Sequence, residues 1–377
     1  IAPMDRGPMQ EAPAVWRSLA PPRGHGEVVS VASSGSTGAP LRIAGTMRDA
    51  AISKAFTLRF HLWHDIDMTK TRASIREARD PACQPPEGRT HPRWGDGMEY
   101  PVLTGPSHEI DIHSGIEVQA HWLKRRRPQY LLAFPSNIAD LARHFDKETL
   151  GFETLDRVMT ISEVVTPEMR QLVREAWGVE CVDVYSAREC GPLAFQCPDV
   201  PEGSDTPGYF VQAERVILEV LREDGTPAAA GETGRVVVTV LHNYAQPMIR
   251  YAVGDYAVMG SDGPSPCGRG LPRLEAVRGR VRNMLIAADG RRFWPSFMTS
   301  GLFGKLPIRQ HQFIQRAPGR LEAHLVVWRP FDAGEEAYFI RHVGEALPGP
   351  WEIAVQYCDE IPRGPGGKFE DCYVELR

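Results

Sequence analysis

The sequence lacks any apolar run approaching the roughly 18 residues that a membrane helix needs, which excludes a helical membrane span. It lacks a basic-then-apolar leader pattern, so a soluble, cytoplasmic protein is expected. It starts at Ile1 rather than methionine, so upstream residues are expected to be missing or processed. An excess of positive charge is also absent: 43 basic residues stand against 48 acidic ones, a formal net charge of −5. Without a strongly basic face, nucleic acid is not an expected partner. The seven cysteines contain no CxxC pair and are odd in number, which argues against a disulfide scaffold and for a reducing compartment. Cys190, Cys197 and Cys267 have no nearby histidine at a zinc spacing. The GxxxxGK[ST] pattern is missing, which excludes a Walker-type phosphate loop. No internal repeat occurs.

What is present is a chain of 377 residues, longer than one core usually serves, so two domains are expected. "TPEMRQLVREAWG" reads as a helix, with Thr166 as N-cap, Pro167 in the first turn and Gly178 as the stop. "VECVDVYS" after it reads as a buried strand, and the alternation points to an α/β core. Beyond about residue 208, "RVILEVLREDGTPAAAGETGRVVVTVLHN" holds two β-rich runs joined by glycine turns, which predicts antiparallel sheet. A last segment reads strand ("EAHLVVW"), helix ("GEEAYFIRHVGEAL"), strand ("WEIAVQYC") and a glycine-rich tail loop, enough for a small α+β domain. The expected fold is therefore a large α/β domain with mixed sheets and a β-rich subdomain, residues 1–281, followed by a small mobile α+β domain, 282–377.

Four stretches carry chemistry, each with a plainer alternative. "VASSGSTGAP" follows a short apolar run; its bare backbone N–H groups and hydroxyls suit a polyphosphate, or it is a flexible connector. In "YSARECG", after a predicted strand, Glu189 is either a ligand for a cation bridging phosphates or an exposed loop acid. "IRYAVGDYAV" sets Asp255 after a glycine turn between two strands, where it either accepts ribose hydroxyls or caps the turn. "RGPGGKFED" puts Lys368 on a glycine loop, as a charge delivered to a reacting phosphate or as a solvated side chain. The basic run "LKRRRPQY" is either a phosphate patch or a solvated surface.

Taken together and in this order, with "YLLAFPSNIADLA", "ISEVVTPEMRQLVREAWGVECVDVYSARECGPLAFQCP", "GETGRVVVTVLHNYAQPMIRYAVGDYA" and "CGRGLPRLEAVRGRVRNMLIAADGRRFWPSF", these stretches resemble the adenylate-forming (acyl-activating) enzyme superfamily, in its phenylacetate–CoA ligase-like branch. The resemblance implies that Ser33, Ser34, Gly35, Ser36, Thr37 and Gly38 form the loop that closes over the phosphates of ATP. It implies that Tyr185 stacks near the adenine with Ser186 close to the α-phosphate, that Glu189 holds Mg²⁺, and that Asp255 binds the ribose with help from Arg280. Arg282 falls at the family's hinge, and Lys368 matches the lysine that contacts the carboxylate and α-phosphate during adenylation.

Three departures stand out. Arg188 occupies a position where the family has a small residue. Phe210 stands where some relatives have the histidine of a Cys/His cluster, and relatives commonly carry a longer segment before the phosphate loop. Trp63, His64, Thr104 and Ser107, in "FHLWHDID" and "LTGPSHEIDIHSG", are expected either to line the acid pocket or to serve ordinary packing. The expected reaction is ATP-dependent activation of an aromatic or aryl-like carboxylic acid, followed by transfer to CoA. A carrier-protein phosphopantetheine thiol, an amine, or a binding-only relative are the alternatives.

Overall fold

The computed structural model describes residues 1–32, 42–78, 80–95, 102–199, 207–261, 267–295, 301–364 and 366–376. It divides into two compact units, Ile1–Arg278 with Pro365–Gly367, and Gly279–Gly364 with Lys368–Arg377.

The large unit is built on a sheet of twelve strands among the described residues, which changes character midway. Arg72–Arg76, Ser107–Asp111, Tyr130–Ala133, Arg157–Ile161 and Glu180–Ala187 run parallel. Gly191–Gln196 then pairs antiparallel with Glu180–Ala187, and antiparallel pairing continues through Tyr209–Val211. Parallel strands need both faces covered, and successive side chains here go to different cores. Leu131 and Val158 pack beneath the helices Pro135–His144 and Pro167–Trp177, whereas Tyr130 and Met159 join Phe56 and Phe60 of the helix Met47–Trp63. The helix Pro167–Trp177 forms as its sequence predicts: the Thr166 hydroxyl accepts from Met169 N at 3.2 Å, and Gly178 closes it at φ 71°. The predicted β-rich region is also found, with Val216–Leu221 paired antiparallel with Thr233–Val240.

Asp183, fully buried in the strand that precedes the change of direction, accepts hydrogen bonds from Thr160 Oγ1 (2.6 Å) and Tyr209 OH (2.7 Å). Burial raises its pKa and pushes the Tyr209 phenol well up. The basic run closes the helix Ile116–Arg126, where cations suit the carbonyl end. Arg126 and Arg127 pair there with Glu87 and Glu153, both at 3.2 Å, as a solvated surface would.

The small unit is a four-stranded sheet, in the order Glu352–Tyr357, Arg320–Val327, Ile308–Ala317, Cys372–Val374. The helix Ala333–Glu345 packs Phe339 and Val343 against Phe313, Leu321 and Leu325. Asp332 and Glu335 form a complete capping box at its start. The strand Cys372–Val374 lies within the stretch that the sequence reads only as a tail loop.

Candidate active site

In a sheet of this kind, ligands gather outside the carboxyl ends of the parallel strands, where the strand order or direction switches. Tyr185 and Ser186 occupy that place. The chain leaves Glu180–Ala187 there, turns through residues 188–190 and returns as Gly191–Gln196, with a register shift between Tyr185 and Ser186. Tyr185 is buried, and its hydroxyl donates to Asp255 Oδ2 at 3.0 Å.

Asp255 does not follow a turn between two strands, as the sequence reading has it. It lies inside the single strand Tyr251–Met259. The partner strand advances from Arg235 to Val237 while this one runs from Tyr256 to Ala252, so the intervening residues bulge out. Gly254 takes φ 90°, a conformation that a side chain would strain, and the bulge re-aims the residue beside it.

Glu189 sits in the turn after Tyr185 with its side chain only 10% exposed, and Arg6 Nη1 meets its Oε1 at 3.1 Å. No motif announces Arg6. It is brought there by backbone pairing: Met4 N donates to Arg250 O (2.8 Å) and Ala252 N to Met4 O (2.9 Å), on the same strand that carries Asp255. Arg188 is exposed. Two further residues stand at this edge unannounced. Ser162, at the end of the neighbouring strand Arg157–Ile161, takes φ 76°, rare for a residue with a side chain. The Glu163 carboxylate accepts from Ser136 N, in the first turn of the helix Pro135–His144, at 2.9 Å.

Ser33, Ser34, Gly35, Ser36, Thr37 and Gly38 lie outside the described residues. The strands that flank them are described: Val28–Ala32 pairs antiparallel with Arg42–Thr46. Ala44 is held by two buried carboxamides, donating to Gln246 Oε1 and accepting from Asn243 Nδ2, both at 2.9 Å. Arg280, half-buried, ends the strand Arg273–Arg280, and Arg282 falls in the short helical turn Val281–Asn283. Lys368 belongs to the small unit, half-buried, in a loop closed by Gly364 N donating to its carbonyl at 2.9 Å.

Each of the four residues expected either at an acid pocket or in ordinary packing has a partner within the protein. Ser107 begins its parallel strand, at the amino edge, and its hydroxyl accepts from Arg72 Nη2 at 3.2 Å. Thr104 Oγ1 accepts from Trp94 N at 2.9 Å. His64 caps the helix Met47–Trp63 with its ring 4.8 Å from Phe60, and burial together with Arg157 lowers its pKa to about 4. Trp63 packs edge-on to Phe195 and Phe210, with the Arg269 guanidinium 4.6 Å over its ring. Ser107, Thr104 and His64 lie toward the amino ends of the strands, whereas Trp63 packs at mid-sheet on Phe195, the strand partner of Val184.

As a donor set for a metal, the site offers the Glu189 carboxylate; among the described residues no group of three His, Cys, Asp or Glu comes together. One carboxylate suits Mg²⁺, which takes one or two and completes its shell with water and phosphate oxygens.

No family model matches the chain. It is 28% identical to the phenylacetate-coenzyme A ligase of Thermus thermophilus, over 63% of this chain and 52% of that protein. It is 25% identical to the phenylacetate-coenzyme A ligase of Escherichia coli, over 68% of this chain and 55% of that one. The chain thus spans about half the length of the curated relatives it matches. Among solved structures, a 2-hydroxyisobutyryl-CoA ligase in its postadenylation state superposes with a TM-score of 0.73 at 17% identity, covering 100% of this chain and 80% of that one. An anthranilate CoA ligase holding anthranoyl-AMP gives 0.65 at 15% identity, covering 91% and 66%. The sequence resemblance is met on both counts: the chain has the fold of adenylate-forming CoA ligases and is a sequence relative of phenylacetate-coenzyme A ligases.

Proposed function

We propose that the protein activates a carboxylic acid with ATP and passes the acyl group to the thiol of coenzyme A. The observation that carries this reading is the 3.0 Å bond between Tyr185 and Asp255, which joins two motifs 70 residues apart beside the Glu189 turn. In the first step a carboxylate oxygen bonds to the α-phosphorus, the bond to the β-phosphate oxygen breaks, and pyrophosphate leaves. In the second the thiol sulfur gives up its proton to solvent and bonds to the acyl carbon, and AMP leaves with the electron pair of the broken acyl–oxygen bond.

Negative charge approaches negative charge in the first step, so the site must supply cations and donors aimed at the phosphates. In our reading Asp255 accepts the ribose hydroxyls and Tyr185, steered by that bond, stacks near the adenine. Ser186 approaches the α-phosphate, while Ser33, Ser34, Gly35, Ser36, Thr37 and Gly38 position the leaving pyrophosphate. Arg280 assists Asp255, Arg282 is the hinge, and Lys368 brings a charge to the carboxylate and α-phosphate. Bound at Glu189, Mg²⁺ would neutralise phosphate charge.

The coenzyme A acceptor is favoured over a carrier protein or an amine by the names of the relatives, and an aromatic or aryl-like acid by phenylacetate among them. Seven free cysteines support a reducing, cytoplasmic setting, and no helix among the described residues is long and apolar enough to cross a membrane.

The test is carboxylate-dependent ATP–pyrophosphate exchange across aromatic, aliphatic and amino acids, followed by CoA thioester formation with whichever acid responds. Exchange with an aryl acid and thioester with CoA is the expected result. ATP binding without exchange for any acid would overturn it.

A further inference from the structure

Arg215 is an arginine with no part in any motif, yet it is 1% exposed and sits under the Glu189 turn. Its two guanidinium arms go to different elements. Nη2 donates to the carbonyl of Cys190, the residue after Glu189, at 3.1 Å. Nη1 meets Asp49 Oδ1 at 3.2 Å. Asp49 stands in the first turn of the helix Met47–Trp63, and its N–H donates at 3.2 Å to Thr46, the last residue of the strand that leaves the hydroxyl-rich loop. One side chain thus spans from the start of that helix to the acid turn. Its own backbone is fixed too, with its N–H on Gln212 O (2.8 Å) and its carbonyl accepting from Leu241 (3.0 Å).

The turn above leaves no slack. Gly191 takes φ 74°, and a Cβ there would stand 2.6 Å from Arg215 Nη2. A buried ion pair is a poor device for stability alone, because desolvation consumes much of what the pairing returns. Among the described residues Arg215 Nε has no hydrogen-bond partner, so this charge is not even fully satisfied. What a planar fork does well is hold two acceptors at a fixed separation and angle, which a lysine ammonium cannot do.

We propose that Arg215 is a positioning residue that sets the Glu189 turn relative to the start of the helix Met47–Trp63, so that Glu189 meets the cation on bound ATP. This rests on the reading of Glu189 given above, and Asp49 and Gly191 belong to the same device.

The test is calorimetric binding of ATP to Arg215→Lys and to Asp49→Asn, with Mg²⁺ and with EDTA, beside thermal melting of each. In the parent protein Mg²⁺ is expected to tighten ATP binding. In Arg215→Lys the affinity in EDTA is expected to stay at the parent value while the gain from Mg²⁺ falls by about tenfold, as for partners that orient a metal ligand. Asp49→Asn, a milder change that keeps the helix start, should lose part of the same gain. A full Mg²⁺ gain in both variants overturns the proposal, and so does an equal loss of affinity with and without Mg²⁺, which marks a merely structural role. If the parent protein itself shows no Mg²⁺ gain, the reading of Glu189 falls, and this proposal falls with it.

Discussion

At the carboxyl ends of the parallel strands, Tyr185, Asp255 and Glu189 converge on one turn and one bulge, with Ser162 and Gly254 in left-handed backbone beside them. At the amino ends, Ser107, Thr104 and His64 are no less polar, yet each is spent on protein: an arginine, a backbone N–H, a phenylalanine ring. The residue types barely distinguish the two edges. Strand direction does, because loops leaving the carboxyl ends are shaped for something other than packing.

The comparison breaks most readily at its strong end. Lys368→Ala should lower pyrophosphate exchange by about 100-fold to 1,000-fold while ATP affinity holds; comparable turnover would remove its assigned role. If Asp255 accepts the ribose hydroxyls as proposed, Asp255→Ala should weaken ATP binding by about 100-fold, measured by calorimetry. Tyr185→Phe, which removes only the hydroxyl at 3.0 Å from Asp255, should weaken it about fivefold.

At the amino edge the expected changes are in stability and not in activity. Ser107→Ala should cost about 1 kcal/mol in denaturant unfolding and leave exchange within about twofold, because Arg72 loses one acceptor. His64 sharpens the contrast through pH. Burial, then Arg157, lowers its folded pKa to about 4 from 6.5, so the unfolded chain binds the extra proton between those values. Its neutral form therefore supports folding fully above pH 6.5, and that support is lost as pH falls toward 4. His64→Gln should flatten this acid-side slope in melting experiments without altering exchange at neutral pH. A large loss of exchange in either amino-edge variant would erase the distinction between the edges.

What was legible in the sequence is what is written locally. The helix Pro167–Trp177 carries its own cap, first-turn proline and glycine stop, and the two valine-rich runs after residue 215 declare their pairing. The strand Ile308–Ala317 does not: "IRQHQFIQRA" mixes polar and apolar residues with two register shifts, so its alternation is broken. Cys372–Val374 is three residues long and exists through a parallel partner far back in the chain. Asp255 is visible as a residue, but its bulge reads as a turn in the sequence, because a glycine before an aspartate is the signature of both. Arg6 and Arg215 could not be found at all. Their meaning comes from partners 183 and 166 residues away, and a single arginine has no local pattern.

The buried carboxylate of Asp183 has one more consequence, for how the strands find their alignment. Side chains alternate faces along a strand, so a slip of one residue would carry Asp183 away from both Thr160 and Tyr209. The valines around it tolerate such a slip far better, one apolar side chain replacing another. An apolar substitute for Asp183 could even raise stability, yet it would remove a buried group that tells correct pairing from shifted pairing. The acid acts as a registration mark at the seam between the parallel and antiparallel halves.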